Sequence, residues 1–172
     1  MLKAIHLSYH ACIRVTKEAL ALMETEEVEI HAMQHHFSNP DLGTLFPSSS
    51  FYQTPEHCAA KLKMMDADLI HVHNEPSWLV KLAKDARPDL PLVFDVHDLA
   101  SMQEQGFKWD SRLNHEASAM RYADGFIFPS QGYYDQVFMK YGLMKPRMVV
   151  YSMCNREAMM LPRLPRVGGI VY

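Results

Sequence analysis

Short apolar runs recur along the chain, each followed by a polar cluster and then by a stretch with helical spacing. Leu2–Leu7 reads as a first strand, alternating less than a surface strand would. Ser8-Tyr9-His10 makes a loop, and Ala11–Glu24 has helical periodicity through Ile13, Ala19, Leu20 and Met23. Val28–Met33 is the second strand. Strand, helix and strand within about thirty residues predict a βαβ unit, with a parallel pair and a right-handed crossover.

Gln34–Gln53 is the least regular stretch, punctuated by Pro40, Gly43, Pro47 and Ser48-Ser49-Ser50. A short strand fits at Thr44–Phe46 or at Ser50–Tyr52. Its apolar side chains suit a packed loop, or a mobile one touching an acceptor or a membrane surface. Thr54 then caps a helix that has Pro55 in its first position and runs to about Met65.

Asp68-Leu-Ile-His-Val-His-Asn-Glu75 is a short buried strand that ends in polar groups. Ser77–Ala86 is the next helix, and Pro91–Val96 the next strand, ending in Val93-Phe-Asp-Val-His-Asp98. Ala100–Asp110, with Gly106 and Trp109, stands where an active-site flap would. Ser111 caps a helix through Tyr122. Gly125–Phe128 is a strand, Gln131–Tyr141 a helix stopped by Gly142, and Arg147–Tyr151 a last strand. This alternation predicts an α/β, Rossmann-like, doubly wound and mainly parallel sheet with helices on both faces.

At 172 residues the chain fits one domain of ordinary size. Its 48% hydrophobic and 22% charged content suits a globular protein. A net charge of −3 argues against nucleic acid as a partner. No apolar run approaches the roughly 20 residues of a membrane span, and Met1–His6 reads as a strand rather than a signal peptide. Cys12, Cys58 and Cys154 are odd in number and far apart, so free thiols in a reducing cytosol are expected. The 13 methionines suit gap-filling in a core. Leu161–Pro165 is a proline-spaced linker. Arg166–Tyr172 opens like another strand, so residues 1–161 are read as one domain and 162–172 as the approach to a second. The other reading makes the tail an edge strand.

Ligands of open parallel sheets bind beyond the carboxyl ends of strands. The loop after the first strand lacks Gly-x-Gly-x-x-Gly, which argues against NAD. The start of its helix can still receive an anion, with His10 and Arg14 nearby. Arg14 suits a bidentate phosphate clamp or a snorkelling surface position. His73, Asn74 and Glu75 end one strand and Asp98 follows the other. His71 and His73 have a His-x-His spacing that can bind a metal. A hydrogen-bonded imidazole cluster or an acceptor-binding edge fits the same spacing, and no metal is assigned.

The chain resembles the N-terminal half of family 4 glycosyltransferases, enzymes of the GT-B architecture. The resemblance is carried by Asp66–His73, Pro91–Asp98, Glu116, Tyr122-Ala-Asp-Gly-Phe-Ile-Phe-Pro-Ser130, Lys140-Tyr-Gly142 and Arg147–Asn155. It implies an acceptor-binding domain of a retaining enzyme that moves a sugar from a nucleotide-sugar donor to a hydroxyl of a glycan, lipid or small molecule. The donor would be a co-substrate, and no cofactor is implied. A C-terminal donor domain with a Glu-x7-Glu motif would complete the site, so the isolated domain is expected to be inactive and to self-associate through the face left bare. Location would be cytoplasmic, peripheral at the inner membrane face in many enzymes of this architecture.

The resemblance also makes His97 a residue near the transferred sugar and Glu116 a cleft-facing carboxylate, the two catalytic candidates. Asp98 can accept from an acceptor hydroxyl or cap the next segment, and Ser130 can reach the cleft or cap its helix. Asp95 reads as structural, turned away from His97's neighbours. The alternatives are a non-catalytic Rossmann-like binding module and a metal-dependent hydrolase using the His-x-His pair.

Overall fold

Apolar residues at every second position of four adjacent strands decide how this chain folds. In the computed structural model, Ile5 and Leu7, Ile70 and Val72, Leu92 and Phe94, and Phe126 and Phe128 are buried in one continuous core. Burying each such side chain contributes about 1.5–3 kcal/mol. The structure describes residues 1–10, 13–35, 46, 48–74, 76–102 and 110–151. The expected linker and final strand at 161–172, Glu75, most of the flap, Cys12 and Cys154 lie outside them.

The elements are β1 (Leu2–Ser8), α1 (Ile13–Met23), β2 (Val28–His35), β3 (Ser49–Tyr52), α2 (Pro55–Met64), β4 (Leu69–His73) and α3 (Trp78–Ala86). They continue with β5 (Leu92–Asp95), a 3-10 turn at Ala100–Met102, α4 (Asp110–Tyr122), β6 (Gly125–Phe128), α5 (Gln131–Tyr141) and β7 (Arg147–Val149). All strand pairs are parallel, in the order β3-β2-β1-β4-β5-β6-β7. This is the Rossmann-like α/β fold expected from the pattern. The order of strand addition reverses between β1 and β4, and such a switch point leaves a crevice at the strand ends.

The two faces of the sheet differ in chemistry. Leu62 of α2, Leu79 and Ala83 of α3, Ala119 of α4 and Val137 of α5 join the large core on one face. α1 lies on the other, where Ala19 packs with Ile30, Ala32 and Phe46 in a smaller cluster. Helix ends follow local chemistry. Thr54 Oγ1 accepts from His57 N at 3.2 Å, and Ser130 Oγ accepts from Tyr133 N at 3.1 Å. Gly142 closes α5 in the left-handed region at φ 62°, where a Cβ would be strained. Lys145 Nζ donates to the carbonyls of Met120, Arg121 and Ala123 at the end of α4.

Several boundaries move because parallel neighbours lend hydrogen bonds. β1 reaches Ser8 opposite Gln34, and β2 continues past Met33 to His35 opposite Tyr52. Of the two sites considered for the third strand, Ser50–Tyr52 lies in β3; Thr44 and Leu45 of the other lie outside the described residues, and Phe46 is core. α4 starts at Asp110 rather than after a cap at Ser111, and β7 stops at Val149. No described helix is long and apolar enough to cross a membrane.

Candidate functional site

β4 alternates, so Ile70 and Val72 enter the large core while His71 and His73 face α1. On that same face β1 places His6 in register with His71, and β5 places Asp95 in register with His73. All four side chains are buried. α1 then lays Arg14 and Glu18, one turn apart, across the strand ends.

Asp95 is the hub. Arg14 donates from Nε to Asp95 Oδ2 at 2.9 Å and from Nη2 to Oδ1 at 3.0 Å, a bidentate pair inside the domain. Arg14 Nη1 donates to Val150 O at 3.0 Å, which ties the first helix to the chain leaving β7. Glu18 Oε1 lies 2.8 Å from Arg14 Nη2. His97 Nδ1 stands 3.2 Å and His73 Nδ1 3.6 Å from Asp95 Oδ2. On its other side His73 shares a hydrogen bond with His6, Nε2 to Nδ1 at 2.9 Å.

The electrostatics follow from this packing. Burial opposes ionisation of Asp95, but hydrogen bonding from His73, His97 and Arg14 outweighs it and holds the carboxyl well below the usual range. Glu18 goes the other way: burial, then the nearby Asp95 charge, raises it to about 7 against the pull of Arg14. Burial lowers His6, His71 and His73, so these rings are neutral at physiological pH.

The expected site residues fall into three settings. His73 and Arg14 sit in the buried cluster; Arg14, expected to clamp a phosphate or lie along the surface, instead has its donors turned inward by Asp95. His97, Asn74 and Asp98 form the rim. The His97 side chain is 14% exposed, and its Nε2 lies 3.8 Å from Asp98 Oδ2. Asn74 donates from Nδ2 to Asp98 Oδ2 at 2.9 Å and accepts from Asp98 N at 2.9 Å, clamping the ends of β4 and β5 together. Asn74 is left-handed at φ 49°, which asparagine tolerates.

The remaining candidates make their contacts elsewhere. His10 is exposed, edge-on to Tyr9, whose ring stacks on His35. Ser130 caps α5. Glu116 is wholly buried rather than facing open solvent or cleft. It accepts from Ser101 N at 3.0 Å and from the Ser101 and Tyr141 hydroxyls, with Lys140 Nζ at 3.4 Å. It thereby anchors the segment that follows β5, which Tyr133 Oη also holds by accepting from Leu99 N at 2.8 Å.

Asp95 corrects the expectation made for it. Residues 95 and 97 stand two apart at the end of one strand, so their side chains meet on one side. His6 and Glu18 escaped the sequence reading altogether. The signal for His6 was present in Ile5-His6-Leu7, where a polar residue alternates with core residues, as in Ile70-His71-Val72-His73.

Switch-point order, polar strand ends and a helix crossing them define a Rossmann-like domain. The sequence profile of Glycosyltransferase Family 4 matches residues 17–153. The chain belongs to that family. Among curated protein sequences none matches significantly. Among solved structures, Anabaena HepE in complex with UDP aligns with a TM-score of 0.63 at 14% identity, over 87% of this chain and 44% of that one. Sucrose-phosphate synthase from Thermosynechococcus elongatus gives 0.64 at 13% identity, over 94% and 53%. A UDP-N-acetylglucosamine 2-epimerase gives 0.56 at 13% identity, over 87% and 48%. The chain thus spans about half the length of these structures. At such identities the likeness is one of fold.

Proposed function

We propose that this chain is the acceptor-side half of a retaining glycosyltransferase, which moves a sugar from a nucleotide-sugar donor to a hydroxyl acceptor. The observation that carries the reading is His97. It follows β5, one strand from the switch point, partly exposed, with Nδ1 toward the buried Asp95 carboxylate and Nε2 toward Asp98. Membership of Glycosyltransferase Family 4 supports sugar transfer as the chemistry. The UDP bound by HepE supports a nucleoside diphosphate as the leaving group.

In this reading Asp95 fixes the orientation of His97, and Arg14 fixes Asp95. The Nε2 edge then accepts a hydrogen bond from a sugar hydroxyl when the ring is neutral, or donates to phosphate oxygens when it is protonated. The departing phosphate takes the acceptor's proton, so the protein supplies geometry and charge stabilisation rather than a nucleophile. Asn74 and Asp98 line the acceptor rim, and Glu116 holds the root of the flap. His10 and Ser130 border the acceptor side.

The reading is tested by assaying the 172-residue chain and the native gene product that carries it, side by side, with UDP-, GDP- and ADP-sugars and a panel of hydroxyl acceptors. The expected result is no transfer by the chain alone, and transfer by the native product with the donor's anomeric configuration kept, as read by NMR. Turnover by the chain alone, or an inverted product, contradicts it.

A further inference from the structure

We propose that His6, His71 and His73 form a binding site for one divalent transition-metal ion of the zinc type, set between β1 and β4. The three residues come from two hydrogen-bonded strands and share one face of the sheet. Their ring centroids lie 3.9, 4.7 and 4.9 Å apart. One nitrogen from each ring falls within 4.8 Å of the other two.

Hydrogen bonding leaves this cluster short of partners. The rings make one bond among themselves, His6 Nδ1 to His73 Nε2 at 2.9 Å. His6 Nε2 and His71 Nε2 are buried with no hydrogen-bond partner. Nearly all buried polar atoms find a partner, so the orphan nitrogen of His71 calls for an explanation. A cation that takes up the His71 lone pair together with those of the facing His6 and His73 nitrogens supplies one. Two nitrogens on a tetrahedral zinc stand roughly 3.3 Å apart, from a Zn–N bond near 2.0–2.1 Å. The 2.9 Å pair therefore needs to open by only a few tenths of an ångström. The proton shared by that pair then resides on His6 Nε2, so both facing nitrogens bind and the proton count is unchanged.

The surroundings have the form expected of a metal shell. Metal-bound histidines commonly direct their second nitrogen at a carboxylate. His73 does so, with Nδ1 3.6 Å from Asp95 Oδ2 and 3.8 Å from Glu18 Oε2. Burial keeps all three rings neutral, the state in which imidazole ligates. An all-imidazole set selects zinc, copper, nickel or cobalt over calcium and magnesium, which take oxygen. Since the ligands are buried, the ion's part is structural. It would pin β1 to β4 at the switch point, below His97, and it does not depend on the glycosyltransferase reading.

The test uses the 172-residue chain without a histidine tag, stripped with chelator and titrated with Zn²⁺ or Co²⁺. Elemental analysis after dialysis should find about one equivalent per chain, and Co²⁺ should give the visible absorption of a tetrahedral site. At metal a hundredfold above Kd the thermal midpoint should rise by roughly 5–11 °C. His71→Gln and His6→Gln should each weaken binding at least about tenfold. Thermal unfolding in metal-free buffer shows whether each variant is folded, and the wild-type stoichiometry tests the proposal by itself. Retention of less than about a tenth of an equivalent by wild type overturns the site, as does full affinity in a folded His71→Gln protein.

Discussion

The pairing of Arg14 with Asp95 joins residues 81 positions apart, and both partners are buried. Removing two charges from water costs several kcal/mol per ion, which the bidentate geometry and the flanking histidines offset. Losing one partner strands the other. Arg14→Met and Asp95→Asn should therefore each cost about 3–5 kcal/mol in urea unfolding. The double variant should cost less than the two summed, by about 1–3 kcal/mol. Strict additivity would mean the two side chains are not coupled. At this scale the sequence was partly legible. His73, Asn74, His97 and Asp98 announced themselves as polar groups at strand ends. Arg14 read as an anion clamp or surface residue and Asp95 as structural, but not as a pair, since neither residue's neighbours in sequence indicate a partner so distant. Glu116 is a similar case: its partners Ser101 and Tyr141 are 15 and 25 residues away, and only the packing of α4 against the segment after β5 unites them.

Elements were more legible than contacts, because strands and helices are written in local periodicity. Every strand of the sheet was foreseen except the choice within Gln34–Gln53, where proline and serine obscure the period. The alternation inside the strands carried more than was taken from it. β1, β4 and β5 place apolar residues on the large core and His6, His71, His73 and Asp95 beneath α1, so one face of the sheet is a packed core and the other combines a polar shelf with a smaller apolar cluster. Helix caps were legible where their chemistry is local. Ser130 is the informative case, since it was a candidate for both cap and ligand. As the cap of α5 it should lose about 1 kcal/mol of stability on Ser130→Ala. Unchanged chemical unfolding in that variant would show that the cap bond contributes nothing to the fold.

For the whole molecule, the order of strands matters more than any one of them. The order reverses between β1 and β4, and the carboxyl ends of β4 and β5 beside that point carry Asn74, His97 and Asp98. Three devices fix that edge: the Asn74–Asp98 clamp, the Asp95–Arg14 pair, and the anchoring of Ser101 by Glu116. In the proposed reading, such rigidity suits a surface that must hold an acceptor hydroxyl beside the departing phosphate, where small misplacements cost rate. The fold class was legible because alternating strands and helices leave few other arrangements. The switch point became visible only with the strand order, which no local pattern contains. His97 is where fold and chemistry meet, so its removal tests the account most directly. In the native gene product that carries this chain, His97→Ala should lower kcat on the order of 10-fold to 1,000-fold with the fold intact by circular dichroism. Wild-type kcat in a folded His97→Ala enzyme would contradict the account and leave His97 a packing residue.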